Sequence, residues 1–420
     1  MQKMINSQQV QFFTKALYLT TFTLLLVVLP CAFIHEKTAR VIFYWCGYLS
    51  VVGLFLNVVI TKESLVRKNI TFAFLILSLL FLGWSMLSEF FSGDTSSELL
   101  YTPGKRWLVA AAISFYLLNR KYEPTKILNT KSIIYMMALA FILASTFGII
   151  QGFISDTRIL LGINRATLTA YAYSAFSLAF SSTIAATFKD KRKYFIQSLV
   201  LIISTYVIFL TQTRGAMVLH PALSLLLLLS WMFKDKVLNL KVLMISVCSL
   251  VIIISLNSKT IMSRFDSTLQ EIREYNLGND HTSLGARFSM WKLGVIAFSD
   301  SPFGQSESQR NSIIKEYLHD QNEKSEAEGY LQVHLHNEFI QYASIFGVFG
   351  LISLFFFFYL LIFKASHPHV IGPVGIPTIA ILLYGSTDVL LTSIELIVIF
   401  STTIILSSMA SGYQQGKYKQ

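Results

Sequence analysis

The sequence predicts an all-α polytopic membrane protein of about twelve transmembrane helices carrying one helical extramembrane cap. Two observations carry that expectation. Apolar residues make up 54% of the 420, and charged residues, only 14%, gather between apolar runs of membrane-spanning length. The one long polar stretch, Asn257 to Val333, keeps apolar residues at three- and four-residue steps, so it reads as folded helices and not as a linker.

The first run, Ala16 to Ile34, is too long for a signal-peptide core and has no small-x-small cleavage site, so it is read as a retained helix. Runs follow at Val41–Ile60, Ile70–Leu87, Trp107–Leu118, Ile133–Phe153, Ala166–Phe188, Tyr194–Leu210, Ala216–Phe233 and Val242–Leu256. The fourth is short unless it extends back through Lys105 and Arg106. The sixth is rich in Ser, Thr, Tyr and Ala, the composition of closely packed or cavity-lining helices. The seventh and eighth are joined by Thr211-Gln212-Thr213-Arg214-Gly215 with almost no loop, and the eighth holds His220-Pro221, read as a packed histidine. Beyond the polar stretch come Phe339–Phe363, Val370–Leu391 with Asp388 near one end, and Ile394–Ala410.

Within the polar stretch, Ile261, Phe265, Leu269 and Ile272 mark one helix. A second begins near Ser283, includes Arg287, Trp291, Val295 and Phe298, and stops before Pro302. A third surrounds Ile313, Ile314, Tyr317 and Leu318. The expected organisation is residues 1–256 for helices one to nine, 257–335 for the cap, and 336–420 for helices ten to twelve and a tail.

Twelve spans place both termini on one side. The short loops and tails of that side hold nineteen Lys and Arg, against seven opposite: Lys37, Arg40, Lys105, Arg106, Arg158, Arg165 and Arg214. The positive-inside rule then puts the termini in the cytoplasm and the cap outside it. The net charge of +11 belongs to these loops and sets orientation, so a nucleic-acid partner is not expected. Cys31, Cys46 and Cys248 lie in or at the ends of apolar runs with no metal or disulfide spacing, and read as packing residues.

Topology brings three separated features to the outer face: Arg214, Arg287, and the stretch Val333-His334-Leu335-His336-Asn337-Glu338. Guanidinium groups stay charged and offer forked donors suited to phosphate oxygens. An imidazole titrates near neutrality and can take a hydroxyl proton. The set suits a transferase that expels a diphosphate and deprotonates an alcohol, and an outward-facing enzyme must draw on a lipid-linked donor. Each residue also has a plainer reading. Arg214 can snorkel to headgroups, Arg287 can be a solvated face of a cap helix, and His336 can bond locally while Asn337 caps the helix start. His334 and His336 could pair as metal ligands, but no third ligand stands at a recognisable spacing, and no metal or cofactor is expected. Asp388, a carboxylate near a membrane helix end, is a functional candidate. Lys105, Arg106 and Arg165 could extend a phosphate-attracting surface.

Taken together, Thr211-Gln212-Thr213-Arg214-Gly215, Ser283-Leu284-Gly285-Ala286-Arg287 and His334-Leu335-His336-Asn337-Glu338 around a single large outer loop resemble bacterial O-antigen ligase. The enterobacterial type is the nearest likeness, including Ser301-Pro302-Phe303 after the Arg287 helix. The resemblance implies a GT-C-type glycosyltransferase fold in the Gram-negative inner membrane. It implies metal-independent, inverting transfer of O-antigen from undecaprenyl diphosphate to a lipid A-core sugar on the periplasmic face. It also implies Arg214 and Arg287 on the diphosphate, His336 as general base or acceptor-orienting group, and supporting roles for Asp388, Asn337 and His334. O-antigen polymerases and protein O-oligosaccharyltransferases share the donor and remain alternatives. A flippase for lipid-linked sugars is the alternative of another class; it predicts an internal repeat that the chain does not show.

Overall fold

The computed structural model describes residues 2–57, 68–92, 98–119, 129–155, 157–321, 325–331, 334–366 and 368–416. Helices α1 (Gln2–Ala32), α2 (Glu36–Leu56), α3 (Asn69–Ser92), α4 (Glu98–Asn119), α5 (Thr130–Ile154), α6 (Ala166–Thr187), α7 (Arg192–Leu210), α8 (Arg214–Lys234) and α9 (Leu240–Leu256) precede the cap. The cap holds α10 (Ser258–Asn276), α11 (Ser283–Asp300) and α12 (Glu307–Asp320), and α13 (Glu338–Tyr359), α14 (Gly375–Gly385) and α15 (Ile394–Gly416) complete the chain. Several charges behind the expected topology, Lys62, Arg67, Arg120, Lys121, Lys126, Lys417 and Lys419, lie outside the described residues, as does Val333.

Among the described residues, eight helices are long and apolar enough to cross a membrane, and a ninth is counted if α9 and α10, bent by 69°, are taken as one span. The chain is therefore an all-α polytopic membrane protein. Helices α4 and α6 stand where the fourth and sixth spans are expected, with 22 residues each, but are not among the eight. Lys105 and Arg106 lie within α4, and Ser and Thr recur through α6. The expected span Val370–Leu391 is corrected: its helix is only 11 residues, about 16 Å long, and too short for a hydrocarbon core of about 30 Å. Asp388 therefore sits in irregular chain between α14 and α15, not in a helix.

Nearly all of α6 is buried, packed against α5, α7, α8, α14 and α15. Its small Ala, Ser and Thr side chains allow that crowding, because they let backbones approach. His220, wholly buried on α8, is held as a packed histidine: Nδ1 lies 2.9 Å from Ser174 Oγ of α6 and Nε2 2.8 Å from Ser204 Oγ of α7. Cys46 is buried, whereas Cys248 is exposed on α9 and is no core residue.

The cap has its own apolar centre. Ala286, Met290, Leu293 and Ala297 recur along one face of α11 and meet Ile314 and Leu318 of α12, together with Leu331 and Leu335. Of the residues that mark this helix in the sequence, Val295 is exposed. Helix α10 differs. It has no buried residue, and Met262, Phe265 and Leu269 form an exposed apolar stripe. Bent sharply from α9, such a stripe suits the headgroup boundary.

A turn docks the cap onto α13. The helix is interrupted at Gly347, where φ is +62°, and the freed Val348 N–H donates to Pro302 O at 2.9 Å. Gln305 N–H donates to Ile345 O at 2.8 Å, and Trp84 Nε1 of α3 donates to Gln305 O at 3.0 Å. Here Ser301-Pro302-Phe303 acquires a structural role. A Cβ at Gly347 would stand 2.3 Å from Pro302 O and 2.5 Å from Gly304 N. Gly347→Ala is expected to cost about 1–3 kcal/mol, read as a lower thermal unfolding midpoint of the purified protein with reduced activity.

Candidate active site

Residues 334–337 lead from the cap into α13 as irregular chain bent at His336. Leu335 is fully buried in the cap centre, while His334 and His336, two residues apart, both stay partly exposed. Their rings lie 4.3 Å apart between centroids. His336 adopts φ +49°, a left-handed conformation costing a non-glycine residue about 1–3 kcal/mol, strain that persists only where surrounding contacts impose it. Those contacts are at hand. Asn337 is the N-cap, its Oδ1 accepting from Phe339 N at 3.0 Å and Ile340 N at 3.2 Å, which leaves the His336 ring free of capping. Gln341 Oε1 accepts Leu335 N–H at 3.0 Å and Arg310, wholly buried on α12, at 3.5 Å.

The segment between α14 and α15 meets this stretch. His336 Nδ1 lies 3.1 Å from Asp388 Oδ1. Asn337 Nδ2 donates to Ser386 O at 2.9 Å, and the buried Glu338 accepts Leu390 N–H at 2.6 Å and Leu391 N–H at 3.1 Å. From behind, α4 holds the same segment: Trp107 Nε1 donates to Leu391 O at 2.8 Å and Arg106 Nη1 to Thr392 O at 3.4 Å. Burial works to raise the Asp388 carboxyl; the hydrogen bond and charge of His336 outweigh it and hold the carboxyl below its ordinary value. An ionised carboxylate only accepts, so Nδ1 donates to it, and a proton-accepting lone pair on this ring would then be that of Nε2. Burial first, then His336, pushes His334 down to about 4, so that ring is neutral at neutral pH.

Arginines form the other half. Arg214 is the first residue of α8, whose N-cap Thr213 makes no side-chain capping bond. The turn before it is gripped from two sides. Arg158 Nε donates to Thr211 O at 2.8 Å and Nη2 to Thr213 Oγ1 at 3.0 Å, while Arg264 of α10 donates to Gln212 Oε1 at 2.8 Å. Gln212, like His336, is left-handed, with φ +51°. Arg158, Arg214 and Arg264 thus gather around one turn; burial, and then the charges of Arg264, Arg287 and Arg214, push Arg158 below its ordinary value. Arg214 Nη2 pairs with Glu271 Oε1 of α10 at 2.6 Å. Burial works to raise Glu271, but Arg214 overcomes it and holds the carboxyl below the ordinary range. Arg287, half-buried on α11, has no hydrogen bond or ion pair among the described residues.

Two contacts join the halves. Trp291, one turn beyond Arg287 on α11, donates from Nε1 to His336 O at 3.3 Å. Tyr171 of α6 lies 3.5 Å from Thr387 Oγ1, beside Asp388, and a Cβ on Gly215, beside Arg214, would stand 3.8 Å from Tyr171 Oη. The structure thus brings Arg214, Arg287, His334, His336, Asn337 and Asp388 to one place. The charge of Arg165 bears on His334, so it borders the same place. Lys105 Nζ sits 4.6 Å above the Tyr101 ring, and Arg106 props the segment at Thr392. The motifs gave no signal for Arg158, Arg264 and Glu271; charged residues gathered around the Gln212 turn emerge only from folding.

One expectation about metals changes. Spacing shows no third ligand, yet Asp388, far along the chain, supplies it: His334, His336 and Asp388 each offer a donor atom, all within 4.8 Å of one another. The same three groups can act as a base, its orienting carboxylate and a neutral neighbour.

If Asp388 orients His336, Asp388→Asn lowers kcat by about 10²–10⁴ through the wrong ring tautomer, and the donor KM moves far less. Steady-state kinetics of the purified variant checks the split.

Residues 199–355 match the model of a family described as O-antigen ligase, a span holding Arg214, the whole cap, Arg287 and the His336 stretch but stopping before Asp388. Over 306 residues the chain is 28% identical to the O-antigen ligase of Escherichia coli (strain K12), covering 72% of this chain and 71% of that protein. The chain is therefore similar to O-antigen ligases across the segment that builds its arginine cluster and its histidine.

Proposed function

We propose that the protein is an O-antigen ligase of the enterobacterial type, moving O-antigen polysaccharide from undecaprenyl diphosphate to a sugar hydroxyl of lipid A-core. One observation supports the reading most directly: a His336–Asp388 hydrogen bond near Arg158, Arg214 and Arg264 gathered at the start of α8, with Arg287 on the neighbouring cap helix, in a polytopic membrane protein. The family likeness supports the donor and acceptor classes.

In this reading the diphosphate oxygens lie against Arg287 and Arg214. His336 Nε2 takes the proton of the acceptor hydroxyl, and the oxygen attacks the anomeric carbon from the face opposite the leaving group. The bond from that carbon to the diphosphate oxygen breaks, the electron pair leaves with the diphosphate, and configuration inverts. Fixed guanidinium donors stabilise that departing charge without a metal. Asp388 stabilises the imidazolium formed on His336. A GT-C-type fold, with the N-terminus in the cytoplasm and the site facing the periplasm of the inner membrane, completes the proposal; the bias of loop charges supports that orientation.

Arg214→Ala, Arg287→Ala and His336→Ala are each expected to abolish ligation while the protein persists in the membrane, and His334→Ala to cost less than His336→Ala. Lipopolysaccharide gels of complemented knockout strains read this: uncapped lipid A-core with accumulating undecaprenyl-linked polymer supports a ligase. Core bearing a single repeat unit would instead indicate a polymerase, and glycosylated protein a protein transferase.

Transfer by the purified enzyme is expected to survive chelator treatment. Loss restored by added zinc would make His334, His336 and Asp388 a metal centre instead.

A further inference from the structure

The proposed diphosphate site is not empty of anions: the chain supplies one. Glu271 Oε1 sits on Arg214 at 2.6 Å, while Oε2 accepts the N–H of Leu284, in the first turn of α11, at 2.9 Å. One carboxylate thus joins the start of α8 to the start of the helix that carries Arg287. It is the acidic partner of a cluster that otherwise gathers Arg158, Arg214, Arg264 and Arg287. Four like charges in partly buried surroundings repel one another, and a neutralising group holds them together.

Of the three cap α-helices, the one bearing Glu271 is the one that buries no residue. It packs mainly on α11 and α9, and it leaves α9 at 69°. Its apolar stripe of Met262, Phe265 and Leu269 is exposed, while Arg264 and Glu271 reach the turn before α8 and Arg214. A lipid-linked anion approaching Arg214 along the bilayer surface meets this helix.

We propose that Glu271 is an internal stand-in for the donor's diphosphate: the carboxylate holds Arg214 until a diphosphate displaces it, and α10 is the element that yields. The inference rests on the reading of Arg214 and Arg287 as the diphosphate site. A diphosphate carries more charge and more acceptor oxygens than one carboxylate, so it wins the guanidinium on both counts. Glu271 acts through Arg214 and is a positioning residue, not a catalytic one.

Inorganic pyrophosphate is the probe, titrated calorimetrically against the purified full chain in detergent. Glu271→Gln keeps an acceptor for Leu284 and removes the charge; it is expected to bind pyrophosphate about fivefold more tightly, the worth of a partly exposed ion pair. Glu271→Asp, one methylene shorter, is expected to shift affinity in the same direction by less. Asp266→Asn removes an exposed charge from the same helix without touching Arg214, and is expected to change affinity less than about twofold because salt screens it. In transfer assays Glu271→Gln lowers the donor KM and leaves the acceptor KM in place. Weaker or unchanged pyrophosphate binding by Glu271→Gln would overturn the inference, as would an equal gain from Asp266→Asn, which would reduce the effect to the general field. Failure of the wild-type chain to use a polyprenyl-diphosphate donor would overturn the proposed function. With Glu271→Gln still gaining pyrophosphate affinity, the displacement of Glu271 by a diphosphate would stand.

Discussion

The hydrogen bond between His336 and Asp388 is the constraint on which the rest of the site depends. It joins a residue entering α13 to an irregular segment leaving α14, across 52 positions of sequence. Neither segment has regular structure to hold it, so each is fixed by neighbours: Asn337, Glu338 and Gln341 from α13, Trp107 and Arg106 from α4. A left-handed histidine is the visible outcome of that clamping. The motif around His336 therefore divides its labour. One residue presents the nitrogen proposed to take the proton, and its successors staple two segments together so that the ring keeps its carboxylate.

The arginine cluster follows a different logic. Its members come from the chain before α6, the start of α8, α10 and α11, and repulsion among them must be met by the fold. Arg158 and Arg264 spend donors on the turn before α8 and Arg214 on Glu271, while Arg287 has no hydrogen bond or ion pair among the described residues. A site arranged this way is charged and yet stable without ligand. Trp291, on the same face of α11 as Arg287, touches the His336 backbone, so α11 links the group proposed to receive the leaving diphosphate with the group proposed to take the proton.

Much of the architecture was legible because the bilayer imposes long apolar runs, and three cap helices were legible from their periodicity. What escaped reading is equally physical. Val370–Leu391 is apolar throughout but does not form one helix, because Gly385 is followed by a segment whose N–H groups are taken by Glu338 instead of by helix carbonyls. Hydropathy cannot register that exchange. The Arg287 helix was legible, but much of its buried face, Gly285, Ala286, Ser289, Gly294 and Ala297, is made of small residues that carry little hydropathy signal. Glu271 was invisible because a lone glutamate on an amphipathic helix looks like any solvated charge until Arg214 is brought within 2.6 Å.

Chemical rescue tests the central claim most directly. His336→Gly suits the left-handed backbone at that position, since glycine tolerates positive φ, and it opens a space of imidazole size beside Asp388. With a defined lipid-linked donor and a defined acceptor, free imidazole is predicted to restore transfer to His336→Gly and not to Arg287→Ala. A folded His336→Gly enzyme that transfers at the wild-type rate without imidazole, or that no imidazole concentration rescues, would contradict the account.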